Sequence, residues 1–296
     1  MISIVITAWE DPESTKKCIS RFLKEKENLE ILAACPDKKT KEVILNLKKN
    51  HPNIHYHHQP REMSKNELMN ILAKKAKGNI IVFTDGNKFI EKNAVRELIK
   101  PFKNKKVGCT GGHLIPLNNK NTLFGYWAHL LTNAANEARK KRDKKNKFIE
   151  FSANLLAIRN KIIENMPLDV AEDAIIPYMF LKKGYQLKYV EQAKVQVTYP
   201  NNFKDWKKQK IRSIKAHESL NKYIKEEIRM KGFLNEIIQG TYLALTYPKN
   251  IKEILWTLTL FPSRLYVWLT ALYQIKIKQD HYKASWSRSK STIPLG

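Results

Sequence analysis

Acidic residues, cysteines and internal repeats are all scarce in this sequence, and each shortage closes off a class of function. Only 28 Asp and Glu stand against 54 Lys and Arg in 296 residues, a net charge of +26. Such an excess implies a polyanionic partner: nucleic acid, an anionic membrane surface or a phosphate-rich substrate. The three cysteines, Cys18, Cys35 and Cys109, are scattered, odd in number and lack a C-x-x-C pair. That pattern argues against a zinc site or a disulfide framework and fits a reducing compartment. No repeat appears at periods of about 20–50 residues, which removes solenoids and propellers. No long apolar run opens the chain: Met1-Ile2-Ser3-Ile4-Val5-Ile6 reads as a strand, too short for the core of a secretion signal. Nor is there a Gly-rich basic loop after that strand. Ala8-Trp9-Glu10-Asp11-Pro12 is acidic, which disfavours a nucleotidyltransferase. A basic nucleic-acid-binding protein without catalytic activity is the alternative invited by the charge. The basic residues are dispersed, however, and no nucleic-acid module is recognisable, so the reading is of no nucleic-acid partner.

A hydrophobic content of 43% excludes wholesale disorder, and the length suits one large α/β domain with an appendage. Strands are expected at Ile2–Thr7, Glu30–Ala34, Ile54–Tyr56 and Ile80–Phe83. Helices are expected between them over Pro12–Glu27, Lys39–Lys49 and Lys65–Lys77. This alternation predicts a mostly parallel sheet flanked by helices. Beyond residue 105 shorter strands follow at Val107–Gly111, Phe151–Ala157 and Gln186–Tyr189. The run Arg139–Lys147 reads as a solvated loop or helix end, and 203–231 as a basic helical stretch.

The most informative stretch is Gly78-Asn79-Ile80-Ile81-Val82-Phe83-Thr84-Asp85-Gly86-Asn87. Four consecutive apolar residues predict a strand buried on both faces. Its carboxyl end, where open α/β sheets bind ligands, carries the oxygens of Asp85 and Asn87. An Asp-x-Asn pair suits a hard cation, Mg²⁺ or Mn²⁺, which in turn holds a diphosphate. The competing reading is a type I turn, since Asp, Gly and Asn are good turn formers.

Together with four further features in chain order, this stretch resembles glycosyltransferase family 2, with its GT-A (Rossmann-like) fold. Val5-Ile6-Thr7-Ala8-Trp9-Glu10 resembles the family's opening strand, whose end meets the nucleotide, and implies contacts from Thr7, Ala8 and Glu10. Asp37, closing Ala33-Ala34-Cys35-Pro36-Asp37, matches the carboxylate that reads a uracil-like ring, which favours UDP over GDP. Met63-Ser64-Lys65-Asn66-Glu67-Leu68-Met69-Asn70 resembles the basic helix start before the metal strand, with Lys65 at the nucleotide. Asp85-Gly86-Asn87 corresponds to the Asp-x-Asp metal motif, with Asn in its last place. Ala171-Glu172-Asp173 resembles the Glu-Asp motif whose aspartate, here Asp173, deprotonates the acceptor hydroxyl; Glu172 is its neighbour in the catalytic pair. Simple helix N-terminal placement is the competing reading of both carboxylates. Gln209-Lys210-Ile211-Arg212-Ser213 resembles the Gln-x-x-Arg-Trp motif of membrane-integrated polysaccharide synthases. Arg212 is expected at the diphosphate and Gln209 at the sugars, while Ser213 replaces the stacking tryptophan. Gly112, His113 and Asn154 fall where the family approaches the donor sugar or the acceptor.

The resemblance implies an inverting, metal-dependent hexosyltransferase that moves a sugar from a nucleotide-diphosphate donor to a lipid-linked or glycan acceptor. Its catalytic domain is expected over 1–200, followed by a basic helical extension over 201–250 and a basic tail over 278–296. Between the last two, residues 251–277 include an apolar segment, 254–275, interrupted by Pro262 and Arg264. The pieces, about eight and eleven residues, are too short to cross a bilayer singly, so an interfacial or re-entrant helical hairpin is expected. A hairpin buried in the domain is the alternative. Aromatic residues within the segment and lysines at both ends favour the cytoplasmic face of the cell membrane, with the protein peripheral or monotopic.

Overall fold

The computed structural model describes residues 1–60, 63–224, 230, 241, 245–282 and 290–293. Eight strands form one sheet in the order β3-β2-β1-β4-β7-β6-β8-β5. They are β1 Ile2–Thr7, β2 Leu29–Cys35, β3 Ile54–His58, β4 Ile80–Asp85, β5 Phe89–Ile90, β6 Val107–Pro116, β7 Leu156–Arg159 and β8 Gln186–Val197. The first four pair in parallel, as expected. Strand β7 runs antiparallel between β4 and β6, and β5 runs antiparallel on β8.

Sequence alternation explains how the sheet is buried. In β1, Ile2, Ile4 and Ile6 enter one apolar cluster, shared with α1 (Pro12–Phe22) and α2 (Lys38–Asn50). Val5 enters a second cluster on the other face, with α3 (Lys65–Lys75) and α6 (Glu172–Lys182). Helix α4 (Ala94–Ile99) joins the first cluster. The helix starts are written locally: Asp11, Asp37, Ser64 and Asn202 each accept a backbone N–H from three residues on.

Several expectations are adjusted. Residues 151–155 precede β7 instead of forming part of it, and α1 ends at Phe22. The basic run from Arg139 is mostly the last turns of α5 (Leu123–Lys144). Arg139 itself is buried, its Nε donating to the Glu150 carbonyl at 3.0 Å. The hairpin expected at 251–277 is instead one continuous helix, α8 (Ile251–Lys276), with Pro262 inside it. Packing overrides the proline. Leu260, Val267, Trp268 and Ala271 join a third cluster with Tyr126 and Trp127 of α5 and Trp206 and Ile214 of α7 (Phe203–Glu218). Ser263 also donates its hydroxyl back to the Thr259 carbonyl at 2.8 Å. Most of the extension beyond 224 and of the tail lies outside the described residues.

Candidate active site

Parallel register sets the centre of the site. Thr7, the last residue of β1, lies beside Asp85, the last residue of β4. The Thr7 Oγ1 hydroxyl donates to Asp85 Oδ1 at 3.1 Å, and Gly86 N donates to the Thr7 carbonyl at 2.8 Å. Gly86 has no room for a side chain: a Cβ there would lie 2.8 Å from Ala8 Cβ and from Thr15 Oγ1.

Lys65, the first residue of α3, reaches across to two carboxylates. Its Nζ lies 2.8 Å from Asp85 Oδ1 and 2.8 Å from Glu172 Oε1. Burial opposes both charges, but the pairing outweighs it, so the Asp85 carboxyl is held below its ordinary value and the Lys65 ammonium above its own. Asparagines one and five residues after Lys65 explain why α3 and α6 meet here. Asn66 Nδ2 donates to the Pro167 and Val170 carbonyls at 2.8 and 2.9 Å, and Asn70 exchanges two bonds with the Met166 backbone. These bonds strap the loop that launches α6 and put Glu172 and Asp173 at its positive end.

A cavity of about 390 Å³ opens at these strand ends. Of the residues expected at a site, Thr7, Ala8, Lys65, Asp85, Asn87, Asn154, Glu172, Asp173, Gln209 and Arg212 all line it. Asn154 arrives on the loop before β7, where its carbonyl accepts the Thr84 hydroxyl at 2.8 Å. Gln209 and Arg212 reach the cavity from α7.

Four expected residues do not line the cavity. Asp37 caps α2 and accepts Glu10 N at 2.8 Å and Thr40 N at 2.9 Å. Glu10, in the loop after β1, holds φ at 47°, a strained backbone for a non-glycine residue. Gly112 and His113 sit on β6, where Gly112 N donates to the Leu155 carbonyl and His113 Nδ1 lies 2.7 Å from the Tyr189 hydroxyl. That imidazole is turned into the fold by its tyrosine partner.

The cavity also contains residues the motifs passed over. Lys88, 7% exposed, follows the Asp-Gly-Asn turn and donates its Nζ to Asn87 Oδ1. Burial, reinforced by repulsion from Lys65, lowers its pKa. Its position directly after Asn87 was the available signal. Lys208 and His217 extend the α7 wall, and His217 Nδ1 lies 3.3 Å from the fully buried Glu150 carboxylate. Tyr282 closes another side, its phenol pKa raised by burial and then by Glu172. Nothing in the sequence near Glu150 marks it, whereas Tyr282 lies in the basic tail, whose family resemblance implies folding back over the nucleotide site.

Asp85 and Asn87 present hard oxygen donors, and the Lys65 ammonium against Asp85 Oδ1 stands where positive charge is drawn. That chemistry fits Mg²⁺ or Mn²⁺. Among the described residues no group of three or more His, Cys, Asp or Glu is arranged to hold a metal, so diphosphate oxygens and water would complete such a shell.

The family described as Glycosyltransferase like family 2 matches residues 1–216. No curated protein matches at the level of sequence. Similar solved structures include the mannosyltransferase PcManGT from Pyrobaculum calidifontis in complex with GDP-Man and Mn²⁺. It has a TM-score of 0.61 at 13% identity, over 94% of this chain and 81% of that one. S. aureus TarS 1-349 has a TM-score of 0.51 at 12% identity, over 94% and 82% of the two chains. GalNAc-T7 with UDP, GalNAc and Mn²⁺ has a TM-score of 0.51 at 19% identity, over 67% of this chain and 43% of that one. The shared architecture is the GT-A fold.

Proposed function

The chain belongs to glycosyltransferase family 2, and from that premise we propose that its cavity performs an inverting, metal-dependent hexosyl transfer from a nucleotide-sugar donor. The observation that carries this reading is the convergence of Asp85, Asn87, Glu172, Asp173 and Arg212 on one cavity at the strand ends. Asp85 and Asn87 are the residues that would hold Mg²⁺ or Mn²⁺ at the donor diphosphate. The ion, when bound, neutralises charge on the leaving diphosphate.

Asp173 takes the proton from the acceptor hydroxyl as that oxygen attacks the anomeric carbon and the nucleotide diphosphate departs. Glu172 is engaged by Lys65 at 2.8 Å, which suits it to positioning. Arg212 and Lys88, both lining the cavity, add positive charge beside the diphosphate. Uridine is favoured over guanosine through Asp37, whose carboxylate oxygens, already accepting two backbone N–H groups, have lone pairs left for an imino proton. The acceptor is a lipid-linked or glycan hydroxyl.

The test is a donor panel of UDP- and GDP-sugars with Mn²⁺, Mg²⁺ or EDTA, read by hydrolysis and thermal shift, in wild type and Asp85→Ala. Turnover of a UDP-sugar that is lost in EDTA and in the variant, with the variant still folded, is the expected result. Undiminished turnover in EDTA would remove the metal from the mechanism.

A further inference from the structure

Helix α8 has apolar surface on two opposite sides. One side is buried in the third cluster against α5 and α7. On the other, Leu255, Leu258, Leu265, Tyr266, Leu269 and Tyr273 are between 49% and 59% exposed. Their spacing of three, four and seven residues aligns them along one stripe. Ten of the seventeen exposed large apolar side chains among the described residues lie between 251 and 277. They therefore form a continuous patch, where scattered surface leucines would mean nothing.

The rim of the stripe is cationic and aromatic. Lys252 Nζ lies 4.5 Å from the Trp256 ring centroid, Lys207 Nζ 5.3 Å from that of Tyr266, and Lys278 Nζ 5.6 Å from that of Tyr273. The acidic residues at the two helix ends are already engaged: Glu253 lies 3.5 Å from Lys120 Nζ, and Asp280 lies 2.6 Å from Lys215 Nζ. The stripe thus faces outward from a positive border, complementary to an apolar layer edged with anions. No helix among the described residues is long and apolar enough to cross a membrane, and the buried side of α8 ties it to the domain.

We propose that α8 lies along an anionic lipid surface, its leucine stripe among the acyl chains and its rim lysines at the lipid phosphates. At a rise of about 1.5 Å per residue the helix presents a face about 39 Å long. The cavity is tethered to this face through α7, which contributes to both. Docking of α8 thus holds the enzyme where an acceptor carried in lipid is concentrated. The docking surface itself does not depend on the donor chemistry.

The experiment is co-sedimentation of the full chain with vesicles of phosphatidylcholine alone or of equimolar phosphatidylcholine and phosphatidylglycerol, with the mass in solution measured in parallel. Binding at least about tenfold tighter to the anionic vesicles, partly released by salt, is expected. Leu255→Glu/Leu258→Glu/Leu269→Glu, all exposed and so tolerated by the fold, should weaken binding at least about tenfold. Lys207→Gln/Lys252→Gln/Lys278→Gln should keep residual binding and lose the anionic preference. Two results overturn the proposal. One is a wild-type chain that stays in the supernatant as a dimer split by the leucine variant, which makes a second copy the occupant. The other is vesicle binding that the leucine variant leaves unchanged. Neither result touches donor turnover, so this proposal fails or stands separately from the glycosyltransferase reading.

Discussion

Two walls of the cavity are held in place by different means. The sheet wall, Thr7, Ala8, Asp85, Gly86 and Asn87, is fixed by strand register and by backbone bonds such as Gly86 N to the Thr7 carbonyl at 2.8 Å. The helical wall, Lys208, Gln209, Arg212, Ser213 and His217 of α7, is placed by tertiary packing of Trp206 and Ile214 against α5 and α8. Close packing on the sheet side leaves no slack, and a long side chain on a helix can adjust. A rigid sheet wall therefore faces the cavity together with an adjustable helical one.

The contrast in rigidity is broken or sharpened by paired small substitutions. Gly86→Ala should destabilise by about 1–3 kcal/mol, because its Cβ meets Ala8 and Thr15 at 2.8 Å. Ser213→Ala, on the exposed turn of α7, should change stability by less than about 0.5 kcal/mol. Urea denaturation of both variants measures this, and equal effects would erase the distinction between the walls.

A smaller effect concerns acid. The Asp85 pKa is lowered in the fold, so its pairing with Lys65 stabilises the protein above the ordinary carboxylate value. That contribution fades as pH falls through the lower folded value. The stability advantage of wild type over Asp85→Asn should be full at neutral pH and shrink below about pH 4. An advantage independent of pH would mean that the ion pair contributes nothing in solution.

The same division explains how much was legible in the sequence. Strands β1 to β4 and the residues at their ends follow from local alternation and helix caps, so Thr7, Asp85 and Asn87 could be placed before any coordinates. Lys65 and the Glu172–Asp173 pair were readable as motifs. Their meeting depends on Asn66 and Asn70 bonding a loop about a hundred residues away, which no local pattern reveals. Antiparallel β7 was blurred because the apolar residues before it, Phe151 and Leu155, are buried without being strand. Pro262 gave a false break because the packing that keeps α8 continuous comes from α5 and α7. His113 was expected at the sugars from motif order, but its pairing with Tyr189 arises from the β6–β8 register.

The central claim is that Asp173 does chemistry at a donor site built by the sheet wall. Donor affinity and turnover measured together in Asp173→Asn test it most directly. Removal of a general base typically lowers turnover by about 10²–10⁴-fold, and the account predicts that loss with nucleotide-sugar affinity unchanged. Near-normal turnover in Asp173→Asn would contradict it and move the base elsewhere, with Glu172 the first to examine.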